Sequence, residues 1–487
     1  MSKFPTTIKE LKAGLKAGEF TAVELLEYTY QQIDALEPKV EAYLEIDAQR
    51  AVALEAAKAA DERGYGEDAP LLNGIPIAVK DNIVTQNLRT TAASKMLENF
   101  VPTYDATTVE RLKAAGAVIV GKLNLDEFAM GGSNEKSAFK VTHNPWNLNK
   151  VPGGSSGASA ATVAARQVPA SLGTDTGGSI RQPASYNGVV GIKPTYGSVS
   201  RFGLIAFGSS LDTIGPMTLT VEDNALVLEA IAGYDENYST SVLDIVTNYS
   251  AKIGQSLAGM KIAFPKEFKS EEISEEVREA MEAAADFYRN EGAIVEEVSL
   301  PYSKYGVDVY YIIASAEASS NLQRFDGIRY GHRSEAAESL EDVYVLSRSE
   351  AFGDEVKRRI MLGTYSLSSG AYDAFFDKAA RVRTLIRQDF DKVFAEYDVI
   401  MGPVTTSTAF DIGGRVNNPL EMYVADLLTI PVNLIGAPAI SVPAGFDSEK
   451  LPIGLQLIGK PLDEATLYQA AHAYEVKHDY ASQAPEL

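Results

Sequence analysis

Gly153-Gly154-Ser155-Ser156-Gly157-Ala158-Ser159, a run of small residues, and then Gly173-Thr174-Asp175-Thr176-Gly177-Gly178-Ser179-Ile180-Arg181-Gln182-Pro183 form the stretch that decides the fold. Two glycine-serine turns bracket a short helix and a strand. Glycine admits positive φ, so successive backbone N–H groups can turn inward as an anion-binding nest. In acyl transfer such groups make an oxyanion hole, each donor contributing about 3 to 4 kcal/mol. One such turn alone reads as a tight connection; two of them, with apolar segments Ala160 to Ala165 and Val189 to Ile192 interleaved, read as a folded site and not as a linker.

Outward from this stretch, the periodicity is that of an α/β protein. Before it, Leu11, Leu15, Val23, Leu25, Leu26, Tyr30, Ile33 and Leu36 recur at three- and four-residue intervals and predict an amphipathic helical layer over residues 1–65. Residues 66–487 are expected to form one structural unit with that layer. Ile75 to Val79 predicts a buried strand ending at Lys80, and Thr107 to Ala115 a helix, capped by Gly116, that leads into the strand Ala117 to Val120. Met260 to Phe264, a helix face of Ile273, Val277, Met281, Ala284 and Tyr288, and Ala293 to Val295 predict a β-α-β unit, hence parallel pairing. Further strands are expected at Val399 to Met401, Ala439 to Val442 and Ile453 to Ile458, and a closing helix from Asp463 to His478. Leu427 to Phe446 lacks charge, but Pro431, Pro438 and Pro443 interrupt it, so it reads as short buried strands and turns and not as a membrane span. The expected fold is an α/β/α sandwich around a mixed, mostly parallel sheet.

Composition narrows the chemistry. Among 487 residues the net charge is −22, a field that repels a phosphate backbone and argues against direct nucleic-acid binding. There is no cysteine, which removes disulfides, cysteine zinc sites and a thiolate nucleophile. The four histidines are scattered, with no pair at the spacing of a helical zinc site, so no metal is expected. The N-terminal residues do not resemble a signal peptide, and the chain reads as cytoplasmic with no membrane association.

Three motifs fail on inspection. Gly116 to Leu123 approaches a P-loop, but its middle is a strand and Leu123 stands where a hydroxyl is required. Gly153 to Gly157 matches a nucleophile elbow, yet none of His332, His472 and His478 has a recognisable context. Ser133-Asn134-Glu135-Lys136 matches Ser-x-x-Lys without the companion Lys-Thr-Gly, and reads as surface.

With histidine scarce and cysteine absent, a serine could be activated by a neutral lysine. Lowering a lysine roughly three units from its reference near 10.4 costs about 4 kcal/mol and requires burial. Lys80, at the end of an apolar strand, fits that requirement; a salt bridge to Asp81 or another carboxylate fits residue type equally well.

The segment Gly153 to Pro183 resembles the signature of the amidase signature family of Ser-Ser-Lys amide hydrolases, with Ala158 where the family pattern has glycine. Ile77-Ala78-Val79-Lys80-Asp81-Asn82 is similar to that family's lysine motif. The resemblance implies Ser179 as nucleophile, Ser155 after a cis peptide bond as the bridging serine and Lys80 as base. It implies oxyanion donors at Thr176, Gly177, Gly178 and Ser179, with Ser156 and Arg181 in support. Other phrases, Met130 to Ser133, Tyr310 to Leu322, Phe352 to Tyr365 and Met422 to Asp426, resemble the branch that hydrolyses glutamine and passes ammonia on for transamidation of glutamyl-tRNA(Gln) or aspartyl-tRNA(Asn). That likeness implies Arg359 on the glutamine carboxylate, Asp426 on its ammonium and Tyr310, in preference to Tyr311, beside its side chain. On residue type alone, Arg359 reads as a helix-surface charge beside Lys357 and Arg358, and Asp426 as a helix cap. The branch also implies a B subunit that binds tRNA, a small C subunit, and ATP and Mg²⁺ acting through the partner, with no cofactor in this chain. The alternatives are a free-standing amidase acting on another carboxamide and a catalytically silent scaffold protein within a complex.

Overall fold

In the computed structural model, which describes residues 4–415 and 425–487, one sheet of 11 strands organises the chain. The strands are β1 (Tyr43–Glu45), β2 (Pro76–Lys80), β3 (Val118–Leu123), β4 (Ala170–Asp175), β5 (Val190–Lys193), β6 (Thr213–Thr218), β7 (Lys261–Pro265), β8 (Ile294–Val298), β9 (Val399–Pro403), β10 (Ala439–Phe446) and β11 (Pro452–Gly459). They lie in the order β1-β3-β2-β4-β6-β5-β10-β11-β9-β7-β8. Strands β2, β3, β4, β9 and β11 are buried along their whole length, as strands covered on both faces must be. The edges differ: β1 has three residues, and β8 carries exposed Glu296 and Glu297, both devices that discourage edge pairing.

The α/β class and the flanking helices are as expected, but the sheet is mostly antiparallel, not mostly parallel. Pairs β2–β3, β2–β4, β7–β8 and β7–β9 are parallel. Pairs β1–β3, β4–β6, β5–β6, β5–β10, β10–β11 and β9–β11 are antiparallel. The local β-α-β signal reports only the two flanks. In the centre, β10 returns as β11 through a short connection, and β4, β5 and β9 meet partners whose direction no local pattern specifies.

The N-terminal helices α1 (Ile8–Ala17), α2 (Ala22–Val40) and α3 (Asp47–Arg63) share one hydrophobic core with the sheet. The polypeptide between α2 and α3 also supplies β1. After α4 (Thr107–Ala114), two short helices carry the glycine-serine turns: α5 (Gly157–Ala164) follows Ser156, and α6 (Arg181–Asn187) follows Ile180. Beyond α7 (Val221–Ile231) and α8 (Glu275–Asn290), helix α9 (Gly306–Asn321) packs on α11 (Asp354–Ser366), the next after α10 (Leu340–Ala351). Contrary to the strand-and-turn reading of Leu427 to Phe446, Ile430–Ile435 is a helix with Pro431 in its first turn, where a missing N–H costs nothing, and only Ala439–Phe446 is a strand. Met422, Tyr423 and Val424 of the quoted phrase lie outside the described residues. Among the described residues no helix is long and apolar enough to cross a membrane.

Helices α9 and α11 touch where Gly363 faces the carbonyl of Ser315, leaving no room for a Cβ. Gly363→Ala is therefore expected to destabilise the protein by about 1 to 3 kcal/mol, read as a lower urea midpoint at unchanged m-value.

Candidate active site

Parallel pairing in register, with Val79 opposite Leu172, brings the C-terminal ends of β2 and β4 side by side. Lys80 ends β2, and its Nζ reaches Ser155 Oγ at 2.8 Å, Ser156 Oγ at 2.7 Å and Thr174 Oγ1 at 2.8 Å. No carboxylate among the described residues touches it. Asp81 pairs instead with Lys122 at 3.3 Å and accepts from the Thr91 N–H and hydroxyl. This disposes of the Lys80–Asp81 salt bridge that residue type had left open. Burial pushes Lys80 down to about 7, against the pull of Asp126, Asp175 and Asp212 at longer range. Lys193 is buried and lowered to a similar extent, but it donates to the Pro194 carbonyl. The hydroxyl partners, more than the burial, set Lys80 apart.

A neutral amine keeps two N–H groups and one lone pair, so one of the three hydroxyls can donate to it. Ser156 Oγ already donates to the Thr174 carbonyl and accepts from the Thr174 N–H. Thr174 Oγ1 also accepts from Asn82 Nδ2. Ser155 Oγ has no other hydrogen bond among the described residues, so its proton, like that of Thr174 Oγ1 and unlike that of Ser156, is free to be aimed at Lys80. Ser155 follows a cis peptide bond from Gly154.

The second turn is built on Asp175, at the end of β4. Its carboxylate accepts from Gly178 N–H at 2.9 Å, Ile180 N–H at 3.1 Å, Asn433 Nδ2 at 2.8 Å and both Nε and an Nη of Arg181 at 3.1 Å. Arg181 also donates to Gln456 Oε1 and Asn433 Oδ1. Burial alone would raise Asp175, but the guanidinium and these hydrogen bonds outweigh it and hold the carboxyl at about 2. Gly178, expected as an oxyanion donor, therefore spends its N–H on Asp175. The N–H groups of Thr176, Gly177 and Ser179 have no acceptor among the described residues. Ser179 is 8% exposed, whereas Ser155 and Ser156 are fully enclosed, so of the three serines Ser179 is the one a substrate can reach. The Ser156 N–H donates to the Ser179 carbonyl at 3.2 Å, tying the turns together; no hydrogen bond closes between the Ser155 and Ser179 hydroxyls.

The facing wall comes from distant sequence. Tyr310, on α9, lays its ring on Gly177, where a Cβ would come within 2.8 Å of it. Arg359, on α11, is buried while its neighbour Arg358 is exposed, which removes the helix-surface reading. Its guanidinium lies 4.4 Å from the Tyr311 ring centroid, and its Nε donates to Glu355 at 2.7 Å. Tyr310 thus faces the turn from Thr176 to Ser179, and Tyr311 packs on the arginine. Asp426 is partly accessible, and its backbone carbonyl, not its side chain, accepts from the Thr429 and Ile430 N–H groups. Thr429 Oγ1 in turn donates to the Gly177 carbonyl at 2.7 Å, fixing this segment against the same turn. Burial and the nearby Asp175 push the Asp426 carboxyl up to about 8, against Arg359 and Arg181.

Sequence reading missed Thr174, Asn82 and Asp126. Thr174 stands inside the quoted stretch, but only the β2–β4 register reveals that it meets Lys80. Ser133 and Asn134, read as surface, are buried because their N–H groups donate to the Asp126 carboxylate. Among the described residues no group of three or more histidine, aspartate or glutamate side chains is arranged to hold a metal ion.

The profile of the family described as Amidase matches residues 24–468. The chain is 58% identical over 489 residues to the A subunit of glutamyl-tRNA(Gln) amidotransferase from Levilactobacillus brevis, covering 100% of this chain and 99% of the relative. It is 60% identical over 481 residues to the protein of the same name in Streptococcus gordonii, covering 99% and 98%. The crystal structure of the corresponding A subunit of glutamyl-tRNA(Gln) amidotransferase from Thermotoga maritima matches with a TM-score of 0.82 at 44% identity, covering 99% of this chain and 97% of that one. A bacterial aryl acylamidase shares the fold, with a TM-score of 0.86 at 24% identity.

Only neutral Lys80 can accept a proton, and that form grows as pH rises through about 7. The rate at which a small fluorophosphonate labels Ser179 is expected to climb about tenfold per pH unit below that value and to level off above it. Lys80→Arg, which cannot deprotonate, is expected to stop labelling at every pH.

Proposed function

The chain belongs to the amidase family, and on that premise we propose that it is the glutamine-hydrolysing component of a tRNA-dependent amidotransferase, releasing ammonia to transamidate glutamyl-tRNA(Gln), aspartyl-tRNA(Asn) or both. The observation that carries the chemistry is Lys80 enclosed by hydroxyls, with no carboxylate partner among the described residues. Ser155 gives its proton to Lys80 and takes one from Ser179 as Ser179 Oγ attacks the side-chain carboxamide carbon. The carbonyl oxygen becomes an oxyanion held by the backbone donors of Thr176, Gly177 and Ser179. Return of the proton through Ser155 to the nitrogen breaks the C–N bond and releases ammonia. Water then cleaves the acyl-serine to glutamate, and Ser179 recovers its proton.

Glutamine adds a carboxylate and an ammonium to its amide. Arg359 answers the first and Asp426 the second, with Tyr310 aligning the chain between them. An ammonium beside Asp426 favours its ionised form, countering the burial that raises it. The same reading assigns tRNA binding, ATP and Mg²⁺ to a B subunit, includes a small C subunit, and places the complex in the cytoplasm; the net charge of −22 supports a chain that leaves tRNA phosphates to its partner.

Ammonia release from glutamine and from simple carboxamides, with and without a B subunit, tests this reading. Glutamine-selective release that rises with partner and charged tRNA and vanishes in Ser179→Ala is expected. Arg359→Ala is expected to raise the glutamine KM at least about 100-fold, since a bidentate charged contact is lost. Robust turnover of unrelated amides by the chain alone, with glutamine poor, would instead make it a free-standing amidase.

A further inference from the structure

Adjacent buried carboxylates, Asp126 and Glu127, face opposite halves of the site. The Asp126 N–H donates to the Ser155 carbonyl at 3.3 Å. Its carboxylate gathers the N–H groups of Ser133, Asn134 and Lys136 and presses on Gly154, where no side chain would fit. Glu127 turns the other way. Its Oε1 accepts from Ser94 Oγ at 2.5 Å, and its Oε2 accepts from the N–H of Gly353 at 2.8 Å. Gly353 is the N-cap of α11, the helix that carries Arg359, and has no side chain of its own to cap it. A carboxylate there also lies at the positive end of the helix dipole.

The backbone directly after the two carboxylates is constrained. Phe128 and Ala129 hold left-handed φ of 50° and 61°, which non-glycine residues rarely adopt. Phe128 packs its ring against Phe352 at 5.7 Å and Phe325 at 5.0 Å, beside the same helix end, and its N–H donates to the Ala92 carbonyl. Two residues therefore span from the Ser155 backbone to the start of α11, without touching any atom that reacts.

We propose that Glu127 is a positioning residue for glutamine: through Gly353 it fixes the start of α11, and so the place of Arg359, relative to the Ser155–Ser179 frame that Asp126 braces. The inference rests on Arg359 receiving the glutamine carboxylate. Glu127→Ala removes the acceptor, and Gly353→Ala attacks the same contact from its exposed side by placing a methyl group where Glu127 sits. Each is expected to raise the glutamine KM about tenfold, the effect of one charge-assisted hydrogen bond, with a much smaller change in kcat. Fluorophosphonate labelling of Ser179, which needs no Arg359, is expected to keep its rate in both. Glu127→Gln retains an acceptor for the Gly353 N–H and is expected to restore the KM. Arg359→Ala, measured alongside, separates the premises. If it leaves the glutamine KM unchanged, the Arg359 assignment falls. If it raises the KM while Glu127→Ala and Gly353→Ala do not, the positioning role falls. Loss of labelling in step with the rise in KM would make Glu127 a general structural residue and also overturn the proposal.

Discussion

Everything in the site depends on an amine that, among the described residues, is held away from both water and carboxylates. A protonated lysine in a dry interior normally draws an acid to it, because an uncompensated buried charge is costly. At Lys80 the neighbouring acid is already taken, since Asp81 is paired with Lys122 one strand over. What remains around Nζ is three hydroxyls, partners that suit a neutral amine as well as a charged one. Lys122 and Lys193 are equally buried, yet each donates to a backbone carbonyl, and Lys122 also meets the Asp81 carboxylate and the Thr90 hydroxyl, whose own proton goes to the Leu88 carbonyl.

The opposite choice is made a few ångströms away. Asp175 and Arg181 form a fully buried pair in which nearly every polar atom has a partner, and that saturation makes it rigid. The pair uses up the Gly178 N–H and holds the turn from Thr176 to Ser179, whose other N–H groups have no acceptor among the described residues. One buried ion pair thus shapes the turn, and one amine without a counter-charge sits beside it. Placing a charged pair at the amine, or an unpaired group at the turn, would undo either function.

Much of this was legible in the chain. The small-residue turns, the strand ending at Lys80, the α4-to-β3 unit and the β7-α8-β8 unit all rest on spacing within a few residues, where backbone geometry is set by local sterics. Strand direction in the centre of the sheet was not legible, because β4–β6 and β9–β11 join segments that no periodicity relates. Arg359 was singled out through likeness to a family, and residue type alone would have left it a surface charge; its burial against Tyr311 became visible only once α9 and α11 were packed. Ser133 and Asn134 were misread as surface for a similar reason, their burial being set by a carboxylate seven and eight residues earlier that folds back under them.

The sequence by itself determined which chemistries were open to this protein: no thiolate, no histidine pair, two glycine-rich turns and a lysine with an apolar approach. Tertiary structure alone decided the pairings. Lys80 lies 75 residues from Ser155 and 94 from Thr174, and Glu127 lies 226 from Gly353. Contacts at such separations follow from strand register and helix packing, which sum many weak apolar contacts over the whole core, so the choice of carboxylate for each lysine cannot be read from its neighbours in the chain.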